Sequence, residues 1–197
     1  MRTLIVVSAV SMDGFYEGPG SGVTVPMENC FGTYNLERIQ AADTVLLGAN
    51  SYAMFSGYWP GVADDSSAFE ADREFSKIYN RVDKVVVSDH ASPLPAEHPW
   101  ADNTRIISRA DAPTEIAKLK EQDGREIVTW ASRATWNGLL QHDLIDEIHV
   151  LLGPAAIAGG TPLFERPVSL RRLGVRTFDN ADTVLLQYGV RQPSEQR

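Results

Sequence analysis

The sequence contains a single cysteine, Cys30, among 197 residues. No intramolecular disulfide can form, so a reducing compartment is the natural setting. Long apolar runs are missing too. The first hydrophobic stretch, Leu4-Ile-Val-Val7, is too short for a signal-peptide core or a membrane span. A soluble, cytoplasmic chain is expected. Basic residues are the minority charge, 18 against 26 acidic, for a net charge of −8. Without clustered Lys and Arg, neither nucleic acid nor a membrane surface is expected as a partner; a small anionic ligand in a local basic pocket is still allowed. The four histidines, His90, His98, His142 and His149, have no metal-ligand spacing with one another or with Cys30, so no metal is expected. Cys30 has no activating neighbour in sequence. No nucleophile-elbow, Walker or Rossmann glycine motif occurs.

What is there is an ordinary globular composition, 43 % hydrophobic and 22 % charged, in one domain over 1–192 with a frayed tail at 193–197. Leu4 to Ala9 reads as a strand buried on both faces. A Gly-rich loop follows over 11–22, then a helix over 28–42. Further strands are expected over 44–48, 84–88, 105–108, 126–130 and 145–152. Between them lie a helical turn near Ser51, a breaker cluster at Tyr58-Trp59-Pro60-Gly61, and helices over 66–80 and 112–122. Asp111 is placed to cap the second of these, and Ser132 to cap a helix after 126–130. Runs near 169–178 and 183–191 read as a terminal hairpin. The order predicts an α/β fold: helices on both faces of a mostly parallel mixed sheet, with an antiparallel C-terminal hairpin.

In such sheets ligands bind beyond the carboxyl ends of the strands. Ser132 can open a strand-to-helix anion site, with Arg133 adding charge, or can simply cap a helix. Gly48, before Ala49, Asn50, Ser51 and Tyr52, permits close ligand approach and equally serves a tight turn. Asp13-Gly14 is a turn signal, and Asp13 is also a candidate substrate carboxylate. Gly159-Gly160 can cradle a ligand or bend the chain.

Together these segments resemble a known family. Ser11-Met-Asp-Gly-Phe15, Val45-Leu-Leu-Gly48 with Ser51-Tyr52 and Met54-Phe55, and Tyr58-Trp59-Pro60 are similar to stand-alone relatives of the riboflavin-biosynthesis reductase domain. So are Trp130-Ala-Ser132, Leu139-Leu140, Leu144-Ile-Asp-Glu-Ile148, and Pro154 through Gly159-Gly160 to Leu163-Phe164. The resemblance spans nearly the whole chain. It implies a dihydrofolate-reductase-like three-layer α/β/α fold and an NADPH cofactor across the strand ends. Gly48, Ala49, Asn50, Ser51 and Tyr52, with Trp130, Ala131, Ser132, Arg133 and Ala134, would hold its phosphates. Ser88 would approach the adenosine end. Substrate would lie near Asp13, Gly14 and Pro154, with Asp13 or Glu28, on the first helix, assisting proton delivery.

Two departures from the family pattern bear on that cofactor. Relatives usually place Arg after the Leu-Leu-Gly turn and Thr two residues on; here Ala49 and Ser51 stand there. One charge-assisted phosphate contact contributes roughly 1.5–3 kcal/mol, and Arg133 is placed to compensate. The family's glycine in the second turn is Ala131 here. The function implied is NADPH-dependent reduction of a small heterocycle, such as an aminouracil or a pterin. The alternative is a nucleotide-, flavin- or pterin-binding protein without hydride transfer. No zinc-deaminase signature accompanies the reductase segments. Relatives pair as homodimers, and the C-terminal strands offer a contact edge.

Overall fold

The structure, a computed structural model, describes residues 1–20, 25 and 28–191. The end of the expected 11–22 loop and the tail from 192 lie outside the described residues. Among those described, ten strands and five α-helices form: β1 (Leu4–Val10), β2 (Phe15–Glu17), α1 (Asn29–Ala41), β3 (Ala42–Gly48), α2 (Ala49–Val62), α3 (Glu70–Tyr79), β4 (Asp83–Val87), β5 (Thr104–Ile107), α4 (Ala112–Glu121), β6 (Glu126–Trp130), α5 (Arg133–Leu139), β7 (Glu147–Leu152), β8 (Thr161–Pro162), β9 (Leu170–Thr177) and β10 (Val184–Val190). A 3-10 turn, Leu140–His142, extends α5.

Eight strands make one sheet in the order β5-β4-β3-β6-β1-β7-β10-β9. The six from β5 to β7 run parallel, and β10 and β9 close the edge antiparallel. The expected mixed sheet and terminal hairpin are both present. Strand alternation splits the core into two layers. Ile5, Val7, Val45, Leu47, Val86, Val128 and Trp130 pack with Phe31, Tyr34, Phe75 and Tyr79 of α1 and α3. Leu4, Val6, Leu46, Val85, Val87 and Ile127 pack with Ile116, Leu119, Trp136 and Leu139 of α4 and α5. That is the three-layer arrangement. Among the described residues no helix is long and apolar enough to cross a membrane.

Several local expectations are corrected. The 11–22 loop contains β2. Ser11 turns the chain back by accepting from the Phe15 amide on its hydroxyl (3.0 Å) and donating its own amide to the Phe15 carbonyl (3.0 Å). β2 then pairs with β8 in a separate small sheet. The breaker cluster does not end α2, which runs through Pro60. A proline there cannot donate to the Ser56 carbonyl. His98 supplies the missing donor: its Nε2 lies 3.1 Å from that carbonyl, while its Nδ1 accepts from the Trp100 amide. The next helix begins at Glu70 rather than 66, because the Asp65 carboxylate takes the Ser67 amide and hydroxyl and fixes a turn. Asp111 sits at the start of α4 without capping it; its carboxylate accepts from the Ser108 hydroxyl instead. The strand expected from 145 begins at Glu147, since Asp146 is drawn aside by the Leu4 amide and Lys120.

One buried charge stands at the opposite end of the sheet from the carboxyl ends of the parallel strands. The Lys84 Nζ donates to the Val82 carbonyl (2.8 Å) and to Asn103 (3.3 Å), and lies 4.6 Å from the Trp100 ring centre. Burial pushes its pKa down to about 7 from 10.5. Between those values the unfolded chain holds a proton that the folded chain lacks, so stability rises with pH across that window and is flat below it. Lys84→Met removes the group. Wild-type stability relative to this variant, from urea melts, is expected to increase between pH 7 and 10 by at most about 1.4 kcal/mol per pH unit. A pH-independent difference would contradict the assignment.

Candidate functional site

At the carboxyl ends of β3, β4 and β6 the two turns leading into α2 and α5 open a cleft of about 590 Å³. Its floor is Gly48, Ala49, Asn50 and Ser51 on one side and Ala131, Ser132, Arg133 and Ala134 on the other. Val87, Arg109, Ala112 and Pro113 extend it towards β5, and Tyr16, Glu17 and Thr161 of the small sheet form the opposite wall.

Local sequence explains how the two turns meet. A side chain at Gly48 would run into the Thr135 hydroxyl, so only glycine lets the first turn of α5 lie against the end of β3. The Gly48 amide donates to the Ser132 hydroxyl (3.0 Å), and the Ser132 amide donates to the Ser51 hydroxyl (3.0 Å). Neither α2 nor α5 has a side-chain cap of its own. Ser132 is at the cap position of α5, but in left-handed conformation, and its hydroxyl serves β3 instead of α5. Ala131 and Ser132 have φ of 50° and 48°. Such a conformation costs an L-residue roughly 1–2 kcal/mol, which gives a conformational reason for glycine at position 131.

Eight of the expected cofactor residues, Gly48 to Ser51 and Ala131 to Ala134, therefore come together. Three are placed elsewhere. Trp130 precedes the turn on the opposite face of β6; its indole packs on Phe75 and donates to Asn35 (2.8 Å). Tyr52 is buried in the same layer, on the inner side of α2. The Ser88 hydroxyl accepts from the His90 and Ala91 amides (3.1 and 2.8 Å), closing the turn after β4. Arg133 lines the cleft but is committed: its Nε donates to the Pro162 carbonyl (2.5 Å) and its Nη1 to Glu165 (3.0 Å). It ties α5 to β8 rather than standing in for a cation at position 49.

The expected substrate residues lie outside the cleft lining. Asp13 accepts the Ile157 amide (3.1 Å) and the Ala158 amide (2.7 Å), clasping the loop after β7. The Ser11 hydroxyl and the Ala158 amide hold its carboxyl below its ordinary pKa. Gly14, at φ 87°, closes the 11–14 turn by donating to the Ser11 carbonyl. Glu28 precedes α1 rather than lying on it, and clasps the hairpin through the Thr183 hydroxyl (2.5 Å) and the Asp182 and Thr183 amides. The Thr183 hydroxyl and the Asp182 amide lower its pKa in the same way. Pro154 is exposed beside Gly153. Both carboxylates accept backbone amides, and these contacts hold both below the ordinary carboxylate range.

Sequence reasoning passed over two groups. Arg109 follows β5, a strand end left out of the inspected turns, although Ser108 and Asp111 mark a helix start there. Tyr16 was hidden in the presumed loop. Burial first, and Glu17 second, push its phenol up to about 12, which keeps a protonated hydroxyl on the cleft wall.

Ala131→Gly removes the left-handed strain at the cost of some unfolded-state entropy, so thermal melts should show about 0.5–1 kcal/mol of added stability. A loss would mean that the methyl group packs. Asp13→Ala should speed hydrogen exchange at the Ile157 and Ala158 amides; unchanged exchange would show that the clasp does not hold the loop. In wild-type protein that protection is present above the ordinary carboxylate range and is lost as pH falls through the lowered Asp13 pKa.

The fold has known counterparts. Residues 2–184 match the RibD C-terminal domain. An uncharacterized protein, YyaP of Bacillus subtilis (strain 168), is 25 % identical over 183 residues, covering 91 % of this chain and 90 % of its own. A diaminohydroxyphosphoribosylaminopyrimidine deaminase/5-amino-6-(5-phosphoribosylamino)uracil reductase of Thermotoga maritima superposes with a TM-score of 0.65 at 12 % identity, over 96 % of this chain and 56 % of that one. Dihydrofolate reductase of Enterococcus faecalis, solved with NADP(H) and RAB-propyl, superposes with a TM-score of 0.58 at 12 % identity, over 96 % of this chain and 97 % of that one. These two likenesses are of fold, which is dihydrofolate-reductase-like. With the domain match running from β1 into β10, the chain belongs to the RibD C-terminal domain family.

Proposed function

We propose that this protein is an NADPH-dependent reductase of a small heterocyclic substrate, of the aminouracil or pterin type. The observation that carries the reading is the cleft across the ends of β3, β4 and β6, lined by both strand-to-helix turns. The residues present fit a dinucleotide. From the end of β5 to the end of β6 the cleft spans three strand spacings, roughly 14 Å. Its floor is built of small residues, Gly48, Ala49, Ala131 and Ala134, which let a pyrophosphate approach the backbone. The start of α2 faces it with amides that have no partner inside the helix.

In this reading the nucleotide, when bound, supplies the hydride. The chain binds and orients. Residues 48–51 and 131–134 would hold the phosphates at a spacing fixed by the serine cross-link. Arg133 keeps β8 against α5, which holds the Tyr16 wall in place. Tyr16 would line the wall against a bound ligand. Asp13 and Glu28 act one step away, by fixing the loop after β7 and the hairpin. Catalysis of this kind rests on placing two reactants in register. A homodimer would use β9, the sheet edge, where Leu173 and Val175 are exposed.

One observation favours the alternative, a nucleotide-, flavin- or pterin-binding protein without hydride transfer: both candidate carboxylates are occupied by backbone amides. Calorimetric titration with NADPH separates nucleotide binding from none. Tryptophan emission is the poorer readout, because Trp130 faces the other layer. Binding below millimolar concentration is expected, followed by NADPH oxidation when an aminouracil or dihydropterin acceptor is added. Binding without oxidation by either class would favour the alternative, and no binding at millimolar NADPH would overturn both NADPH use and the reductase reading.

A further inference from the structure

The chain between β4 and β5 folds back over the α1–α3 layer, where Ala91, Leu94 and Trp100 pack. Its middle is tied to α2 by His98, whose Nε2 lies 3.1 Å from the Ser56 carbonyl. Its far end rests on Lys84. Trp100 covers the Lys84 Nζ with its ring centre 4.6 Å away, and Asn103 Oδ1 accepts from it at 3.3 Å. The Tyr79 ring of α3 stands on another side, at 5.6 Å. Two more bonds hold this end down: the Trp100 indole donates to Asn80 Oδ1 (2.7 Å), and Asn103 Nδ2 donates to the Asn80 carbonyl (2.9 Å). Lys84 is 1 % exposed and Trp100 is fully buried. Lys84 is thus shut under this segment with two oxygen acceptors, the Val82 carbonyl and Asn103. Among the described residues no carboxylate makes an ion pair with it, unlike Lys120, which is equally buried but paired with Asp146.

We propose that residues 89–103 form a flap that lifts Trp100 and Asn103 off Lys84 as a unit, opening more often at neutral than at alkaline pH. An ammonium buried without a counter-charge is costly, and lifting the flap returns it to water. The closed flap therefore favours the neutral amine, in keeping with a pKa pushed down by burial to about 7. The open flap favours the ammonium, with an ordinary pKa of about 10.4. Opening thus becomes about tenfold more frequent for each pH unit lost between those values, and levels off below the lower one. The other charges around Nζ do not reverse this sign. Asp83, beside Lys84 on β4, attracts the ammonium but offsets the burial only in part. The Tyr79 phenol is kept protonated by its own burial. His98 stands edge-on to Trp100, 5.9 Å between ring centres, so the device is read above the histidine range. An open flap also withdraws His98 from α2, and with it the donor that covers the Pro60 break. Lys84 is in this way coupled to the helix whose first turn forms the cleft floor. The inference goes beyond the nucleotide reading and does not rest on it.

Native-state hydrogen exchange followed by NMR between about pH 7.5 and 9.5 tests it. The reporters are the Trp100 indole proton and the Lys84 amide, which donates to the Asn103 carbonyl (2.7 Å). Exchange from an open state speeds up about tenfold per pH unit by base catalysis, while opening of this flap falls about tenfold. The two cancel, so both reporters should keep rates within about threefold across the window. The Leu163 amide, bonded to the Gly14 carbonyl outside the flap, should speed up about a hundredfold. Both reporters should also exchange faster than the amides of β1, which await global unfolding. Lys84→Met has no charge to lose and Lys84→Arg keeps its charge throughout, so in either variant the reporters should regain the hundredfold acceleration. Acceleration of that size in wild type overturns the proposal. So do reporters no faster than β1, or a flat profile that persists in whichever variant folds.

Discussion

The spacing between the two strand-to-helix turns depends on a pair of serines. Each turn begins a helix, and helix starts leave amides without intrahelical partners. Here the shortage is met across the turns rather than within them. Ser132 takes the Gly48 amide and Ser51 takes the Ser132 amide, both in buried positions. The consequences run outward from there. Gly48 must be glycine because Thr135 has been brought so close. Residues 131 and 132 are held in left-handed conformation by the same contact. The first turns of α2 and α5 are set at a fixed distance, and the cleft is the gap that results. The serine hydroxyls expected on phosphate oxygens are in the first place structural, though each keeps a proton to donate.

Around that cross-link the walls are fastened one by one. Arg133 binds the small β2–β8 sheet to α5, Asp13 binds the 157–158 amides, and Glu28 binds the hairpin at 182–183. Each is a charged group held by backbone partners, with the Glu165 carboxylate and the Thr183 hydroxyl adding side-chain contacts. Tyr16 and Arg109 line the cleft from the small sheet and from the end of β5.

Much of the fold was legible in the sequence, because apolar strand runs and their alternation carry the layer assignment directly. Leu4–Val10 and Val184–Val190 read as they stand. What misled were residues whose usual meaning was overridden by distant partners. Pro60 looked like a helix end, but a histidine from a loop far along the chain replaces the lost donor. Ser132 looked like a cap, but its acceptor is spent on another strand. The site was half legible. The positions 48–51 and 131–134 follow from the strand-end rule together with the family likeness. Trp130, Tyr52 and Ser88 are neighbours of those positions in sequence, yet their side chains sit on the other face of a strand or helix or close a turn. Arg109 had no motif; only the sheet order, which places β5 beside β4, brings it to the same cleft.

The central claim is that the cross-linked turns form a nucleotide cleft reaching from β5 to β2. Backbone amide shifts in a nitrogen–proton correlation spectrum, followed as NADP⁺ is added, test it most directly. The account requires the largest changes at Asn50, Ser51, Arg109 and Ala134, with smaller ones at Tyr16 and Glu17 and none along β9. Changes concentrated at the Lys84 end of the sheet or on the β9–β10 hairpin, with the 48–51 and 131–134 amides unmoved, would contradict it.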